Sequence, residues 1–209
     1  MVFHDHPVIV MAAALDDTMG IGFQQDLPWK LPGDWAYFQQ ITTKSYDDPD
    51  SLLEQESDWH NIVIMGRLSW ESVPMRGKPL HNRFNIVVST SYESQNMPAL
   101  EHVALAKTLP MALDHAKQLK KSQGRIFILG GAQIYQQAVD QRHCTHILLT
   151  HIKTSVAIPC DTFFPAIDPM HYRLATHTEL EHFVQESVPR GWQQHDDFSY
   201  QFVLYIRSQ

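Results

Sequence analysis

The sequence predicts an α/β fold in which a mostly parallel sheet is covered by helices, and three observations predict it. Short apolar runs rich in Val and Ile recur along the chain, which suits strands buried on both faces. Segments with helical spacing lie between them, and that alternation is the order of an α/β domain. A length of 209 residues, 44% hydrophobic and 19% charged, is that of one ordinary globular unit. With no internal repeat and no Gly/Ser-rich linker, residues 1–209 are expected to form a single domain.

Taken in order, the strand-like runs are Val8 to Leu15, Ile62 to Met65, Ile86 to Val88, Val103 to Ala106, Ile126 to Leu129 and Ile147 to Leu149. Helices are expected over Asp34 to Thr42, Leu68 to Val73, a third segment capped by Thr108 with Pro110 in its first turn, and Ala132 to Val139. Tyr172 to Thr178 and Tyr200 to Ile206 read as two final strands. No helical pattern is read between them, so they are expected to pair as an antiparallel hairpin with a long connection. The polar stretch Lys44 to Trp59 reads as a surface loop insertion (44–59).

Charge and composition exclude several classes. The net charge is −7 without any Lys/Arg run, so no extended nucleic-acid site is expected. No apolar run approaches the roughly 20 residues of a membrane span, and the start is neither basic nor apolar. Cys144 and Cys160 show no metal spacing and read as reduced thiols of a cytoplasmic protein. The thirteen histidines form no ligand pattern, so no metal is expected.

Met19 to Phe38 carries the strongest chemical signal. Gly20 and Gly22 let the backbone bend, Pro32 stands where a helix can begin, and Asp34 follows with Trp35 and Phe38 spaced to share a face. Asp34 has two readings. It can serve the helix N-terminus, as Asp commonly does, or it can be a desolvated carboxyl that holds or relays a proton near neutral pH. Leu129-Gly130-Gly131-Ala132 passes from strand to helix and is either a tight turn or a place where a pyrophosphate lies close to backbone N–H groups. Gly66-Arg67-Leu68-Ser69 makes the same transition with a cation, which is either a surface arginine or a phosphate ligand. Arg83 is either a surface ion pair or a grip for a substrate carboxylate.

These pieces resemble dihydrofolate reductases in content and order across essentially the whole chain. The matching residues are Gly20-Ile21-Gly22, Leu27-Pro28-Trp29, Asp34, Ile64-Met65-Gly66-Arg67, Ser69-Trp70, Pro79-Leu80, Arg83, Leu129-Gly130-Gly131, Tyr135, Thr150 and Asp161-Thr162-Phe163-Phe164-Pro165. The resemblance implies a single domain with an eight-stranded, mostly parallel sheet, an antiparallel C-terminal strand and four flanking helices. It implies NADPH-dependent reduction of 7,8-dihydrofolate, with hydride to C6 and Asp34-assisted protonation of N5, and Trp29 and Thr150 supporting Asp34. Ala12, Trp35, Phe38, Val73, Leu80, Arg83 and Leu129 would meet the substrate, Arg83 through its glutamate α-carboxylate. For the cofactor it implies Ala14 and Ile21 at the nicotinamide, and Arg67, Ser89 and Thr90 at the 2′-phosphate. Gly66, Leu68, Ser69, Gly130, Gly131, Ala132, Gln133, Ile134 and Tyr135 would form the two phosphate turns, with Gly130–Gly131 in the cis form. Partners would be dihydrofolate and antifolate-type small molecules, and the chain would be a monomer.

Two positions depart from the usual pattern. Trp35 replaces an aliphatic residue or Phe, and Thr90 stands where some members have a second Arg. The related-fold pyrimidine reductase of riboflavin synthesis, also NADPH-dependent, gives no reason for Arg83 and does not match Leu27-Pro28-Trp29 with Asp34. A non-catalytic NADPH-binding module would leave the intact acid without a purpose.

Overall fold

A computed structural model describes residues 7–46, 59–92, 100–119 and 124–208. The run Val8–Leu15 forms β1, and Gly20–Gly22 a short β2. Helix α1 (Pro32–Thr43) follows, begun by proline as expected. Then come β3 (Asn61–Gly66), α2 (Arg67–Glu71), β4 (Arg83–Val88), β5 (Val103–Ala106) and α3 (Leu109–Leu119), where Thr108 Oγ1 accepts the Met111 N–H at 3.3 Å. The remainder is β6 (Ile126–Ile128), α4 (Ala132–Asp140), β7 (His146–Thr154), β8 (Thr162–Phe163), β9 (Tyr172–Leu174), α5 (His177–Val184), β10 (Gln193–His195) and β11 (Phe198–Arg207).

The strand order is β10-β11-β7-β1-β6-β3-β4-β5, with β9 also paired to β11. From β7 through β5 all neighbours run parallel, while β11 is antiparallel to β7, β9 and β10. A separate pair, β2 with β8, lies off this sheet. The α/β class with a mostly parallel sheet and an antiparallel end is therefore borne out. The described sheet has nine strands and five helices accompany it, more than the eight and four that the resemblance implies.

Alternating residues of each strand serve two cores. Val8, Val10, Ile62, Ile64, Ile126 and Ile128 pack with α3 and α4, while Ile9, Met11, Val63, Met65 and Phe127 pack with α1, α2 and α5. That is why the strands read as continuous apolar runs: neither face meets water.

One expectation is corrected. β9 and β11 do pair antiparallel, but a helix lies between them, and β9 ends at Leu174 rather than Thr178. Thr176 caps α5 by a reciprocal pair, its Oγ1 accepting the Glu179 N–H at 3.2 Å and Glu179 Oε2 accepting the Thr176 N–H at 2.8 Å. Leu180 and Val184, one turn apart, bury its inner face. The expected insertion 44–59 falls almost wholly outside the described residues.

Candidate active site

The carboxyl ends of β1, β3, β4, β6 and β7 open onto one cleft of about 1160 Å³. This is where ligands sit in open parallel sheets. The pairing of β3 with β6 sets the two glycine turns side by side, for Gly66 N–H donates to Gly130 O at 2.7 Å and Leu129 N–H to Ile64 O at 2.8 Å. Gly130–Gly131 is cis, as the resemblance implies. Gly130 has φ +99°, and a Cβ there would come within 2.8 Å of the Tyr135 ring, so only glycine fits. Tyr135 is buried beneath this turn and donates its hydroxyl to Met11 O at 2.8 Å.

Asp34 lies in the first turn of α1, but the cap position is Leu31 and no side chain caps the helix. The carboxyl does not cap the helix and is desolvated. It bonds Thr150 of β7, and burial pushes its pKa from 3.8 up to about 6, the Thr150 hydroxyl pulling slightly the other way. Trp35 and Phe38 stack at 5.2 Å on the cleft side of α1, although Trp35 remains 47% exposed. Trp29 is buried, and its Nε1 meets no acceptor among the described residues.

A loop crosses in front of Asp34. β2 pairs with β8, Asp161 N–H donates to Gly22 O at 3.0 Å, and Asp161 Oδ2 accepts the Gln24 N–H at 2.8 Å. Val73 N–H donates to Gln25 O at 2.9 Å. These bonds fasten the loop from Gly22 to Gln25, and Gln24, Gln25, Asp26 and Leu27 line the cleft. Gly20 lets it close down, since a Cβ there would stand 2.4 Å from Cys160 Sγ.

Arg83 is not a surface charge. It is 4% exposed, and among the described residues its guanidinium donates to Thr42 Oγ1 (2.7 Å), Gln39 Oε1 (2.9 Å) and His81 O (2.9 Å), all neutral. Burial lowers its pKa to about 10, so it stays charged at neutral pH. A buried cation bonded only to neutral acceptors retains a strong demand for an anion.

Ala12, Ile21, Asp34, Trp35, Phe38, Leu80, Leu129 and Thr150 line the cleft. So do Gly66, Arg67, Leu68, Ser69, Ser89, Thr90, Gly131, Ala132, Gln133, Ile134 and Tyr135. Five expected residues do not line it. Ala14 is fully buried in the α3/α4 core, and Gly130 sits under its neighbour. Trp29 and Arg83 are buried, and Val73 is exposed with its N–H bonded to the loop. The sequence reading missed Lys107 and Thr108, which line the end near Ser89, Thr90 and Ser91. A signal existed: Lys107 directly follows β5 and precedes the α3 cap, the same strand-to-helix transition that marks the other two turns. It also named none of the loop residues Gln24 to Asp26 as site residues and gave Asp161 no role.

The fold and site define an α/β protein with its ligand cleft at the carboxyl ends of parallel strands. The family model for dihydrofolate reductase matches residues 8–46 and 52–197. The chain is 31% identical over 204 residues to the dihydrofolate reductase of Candida albicans, covering 96% of this chain and 97% of that protein. It is also 31% identical over 211 residues to that of Pneumocystis carinii, covering 95% and 96%. It is 38% identical over 167 residues to a bifunctional dihydrofolate reductase-thymidylate synthase of Arabidopsis thaliana, covering 79% of this chain and 30% of that protein. The chain belongs to the dihydrofolate reductase family.

Proposed function

We propose that this chain reduces 7,8-dihydrofolate to tetrahydrofolate with NADPH. The observation that carries the reading is Asp34, the cleft carboxyl that burial holds near neutrality beside Thr150. The other shifted cleft acid, Asp161, moves the opposite way because the Gln24 N–H and the Thr162 hydroxyl bond its charged form. Only a carboxyl with a raised pKa still carries a proton near pH 6 to 7.

The residues fit the cofactor. The glycine turns bring bare backbone to the cleft, α4 begins there, and Arg67 and Lys107 supply cations at one end. The bound dinucleotide would supply a hydride, which adds to C6 of the N5=C6 bond while a proton adds to N5. Asp34 accepts hydrogen bonds from the pterin 2-amino group and N3 and raises the proton availability at N5. Trp29 Nε1, a buried donor with no acceptor among the described residues, holds the water that carries this proton. Trp35, Phe38 and Leu80 wall the substrate from solvent, and Arg83, held flat by Gln39 and Thr42, takes the glutamate α-carboxylate. The loop over Asp34 excludes water when the site is filled. On this reading the chain works as a cytoplasmic monomer on small molecules, and antifolate-type pteridines compete for the same walls.

The test is NADPH consumption with dihydrofolate, followed by absorbance across pH. Activity should fall as pH rises through the Asp34 titration. Asp34→Asn should lose at least about 100-fold in kcat at pH 7, the scale of general acid help. Turnover within a few-fold of the parent would remove the proton role from Asp34.

A further inference from the structure

Arg67, which the reading above sets at the cofactor's 2′-phosphate, does not stand alone. Its Nη1 lies 2.7 Å from Glu71 Oε2, one helical turn on. The other carboxylate oxygen of Glu71 accepts the Tyr92 hydroxyl. Tyr92 is itself seated by Ser89, whose Oγ accepts the N–H groups of Ser91 (3.2 Å) and Tyr92 (3.1 Å). Both oxygens of Glu71 are therefore held, and the acid is fixed beside the end of the cleft that Ser89, Thr90 and Ser91 line. Its side chain is 33% exposed and that of Arg67 39%, so the pair is partly shielded rather than fully solvated.

Two recognition chemistries meet at this point. A 2′-phosphate is taken by an arginine, whereas a ribose 2′-hydroxyl is a donor that a carboxylate accepts. A carboxylate one hydrogen bond from Arg67 repels a phosphate on the same guanidinium and competes for its donors. Thr90 adds no charge to offset this, and among the described residues Lys107 is the other cation lining the cleft. We propose that Glu71 is a specificity-determining residue that weakens this chain's preference for NADPH over NADH. The proposal rests on Arg67 facing the 2′-phosphate. A like charge near a phosphate at the surface, screened by ordinary salt, changes affinity by roughly 3- to 10-fold.

The experiment titrates the protein without substrate with NADPH and with NADH, reading quenching of tryptophan fluorescence, and repeats the comparison in KM. Glu71→Gln keeps the shape of the side chain and removes its charge. It should raise the ratio of NADPH to NADH affinity by about 3- to 10-fold, the gain shrinking in high salt because it is electrostatic. Arg67→Ala should collapse the ratio by about tenfold or more while NADH binding stays within twofold. If Arg67→Ala collapses the ratio and Glu71→Gln leaves it within twofold or lowers it, Glu71 is not the determinant although the phosphate assignment stands. If Arg67→Ala leaves the ratio unchanged, the phosphate assignment itself is wrong. A Glu71→Gln gain that persists undiminished in high salt overturns the electrostatic proposal as well.

Discussion

Burial gives Asp34 its chemistry and also makes it a liability to the fold. Its folded-state pKa of about 6 lies above the ordinary 3.8. Below pH 3.8 the group is protonated in folded and unfolded chains alike and contributes nothing. As pH rises from about 4 through 6 the unfolded chain gives up its proton more readily, so the folded state loses up to ~3 kcal/mol, less where the carboxyl opens to the cleft. Asp34→Asn cannot ionise and is expected to be about 1–3 kcal/mol more stable than the parent at pH 8, with that advantage gone at pH 4. Urea denaturation at the two pH values checks this, and an advantage independent of pH would mean that the carboxyl is not desolvated. Asp34 was legible as a candidate from its position before Trp35 and Phe38. That it bonds Thr150 instead of capping α1 was not, because the partner lies on a strand 116 positions later in the chain.

At the scale of elements, the loop in front of Asp34 is held by a short sheet and a few backbone bonds, and Asp161 makes the side-chain contribution. Removing it in Asp161→Ala leaves the Gln24 N–H without its acceptor. Amide exchange at Gln24 should therefore speed up by roughly 5- to 10-fold while the urea midpoint of global unfolding stays that of the parent. Exchange at Gln24 that matches the parent would show that the loop is held elsewhere. The glycines of this loop were readable, but its fastening was not, since Asp161 and Val73 reach it from distant parts of the chain. Helix α5 was missed for a different reason. Thr176-His177-Thr178-Glu179 carries a capping box, yet Tyr172 to Thr178 also alternates like a strand, and the cap lies inside that stretch. Local patterns competed, and only packing of Leu180 and Val184 on the sheet decides between them.

For the whole molecule, β6 is the strand between β1 and β3, and Phe127 at its centre is fully buried. Its ring fills the core shared by α1, α2 and α5 while its neighbours Ile126 and Ile128 fill the other. Phe127→Ala is expected to cost about 3–5 kcal/mol. Fluorescence and circular dichroism should show that loss in a single shared transition, because one sheet joins both cores; two separate transitions would argue against this coupling. The same strand carries the Gly130–Gly131 turn into the cleft, so stability and site geometry depend on one element.

The order of the parallel strands β1 and β3 to β7 with helices α1 to α4, the double-sided burial of the sheet, the residues of the two glycine turns and the acid beside its aromatics are all local properties of this sequence. They were readable because hydrophobic period, proline and glycine act over a few residues. Tertiary structure alone decided that β3 would pair with β6 and set the two turns together. It also decided that Arg83 would be buried against Gln39 and Thr42, and that Glu71 would hold Arg67 with Tyr92 behind it. Those arrangements bring distant residues within hydrogen-bond reach, and hydrogen bonds depend on position to a fraction of an ångström, which only the packed fold supplies.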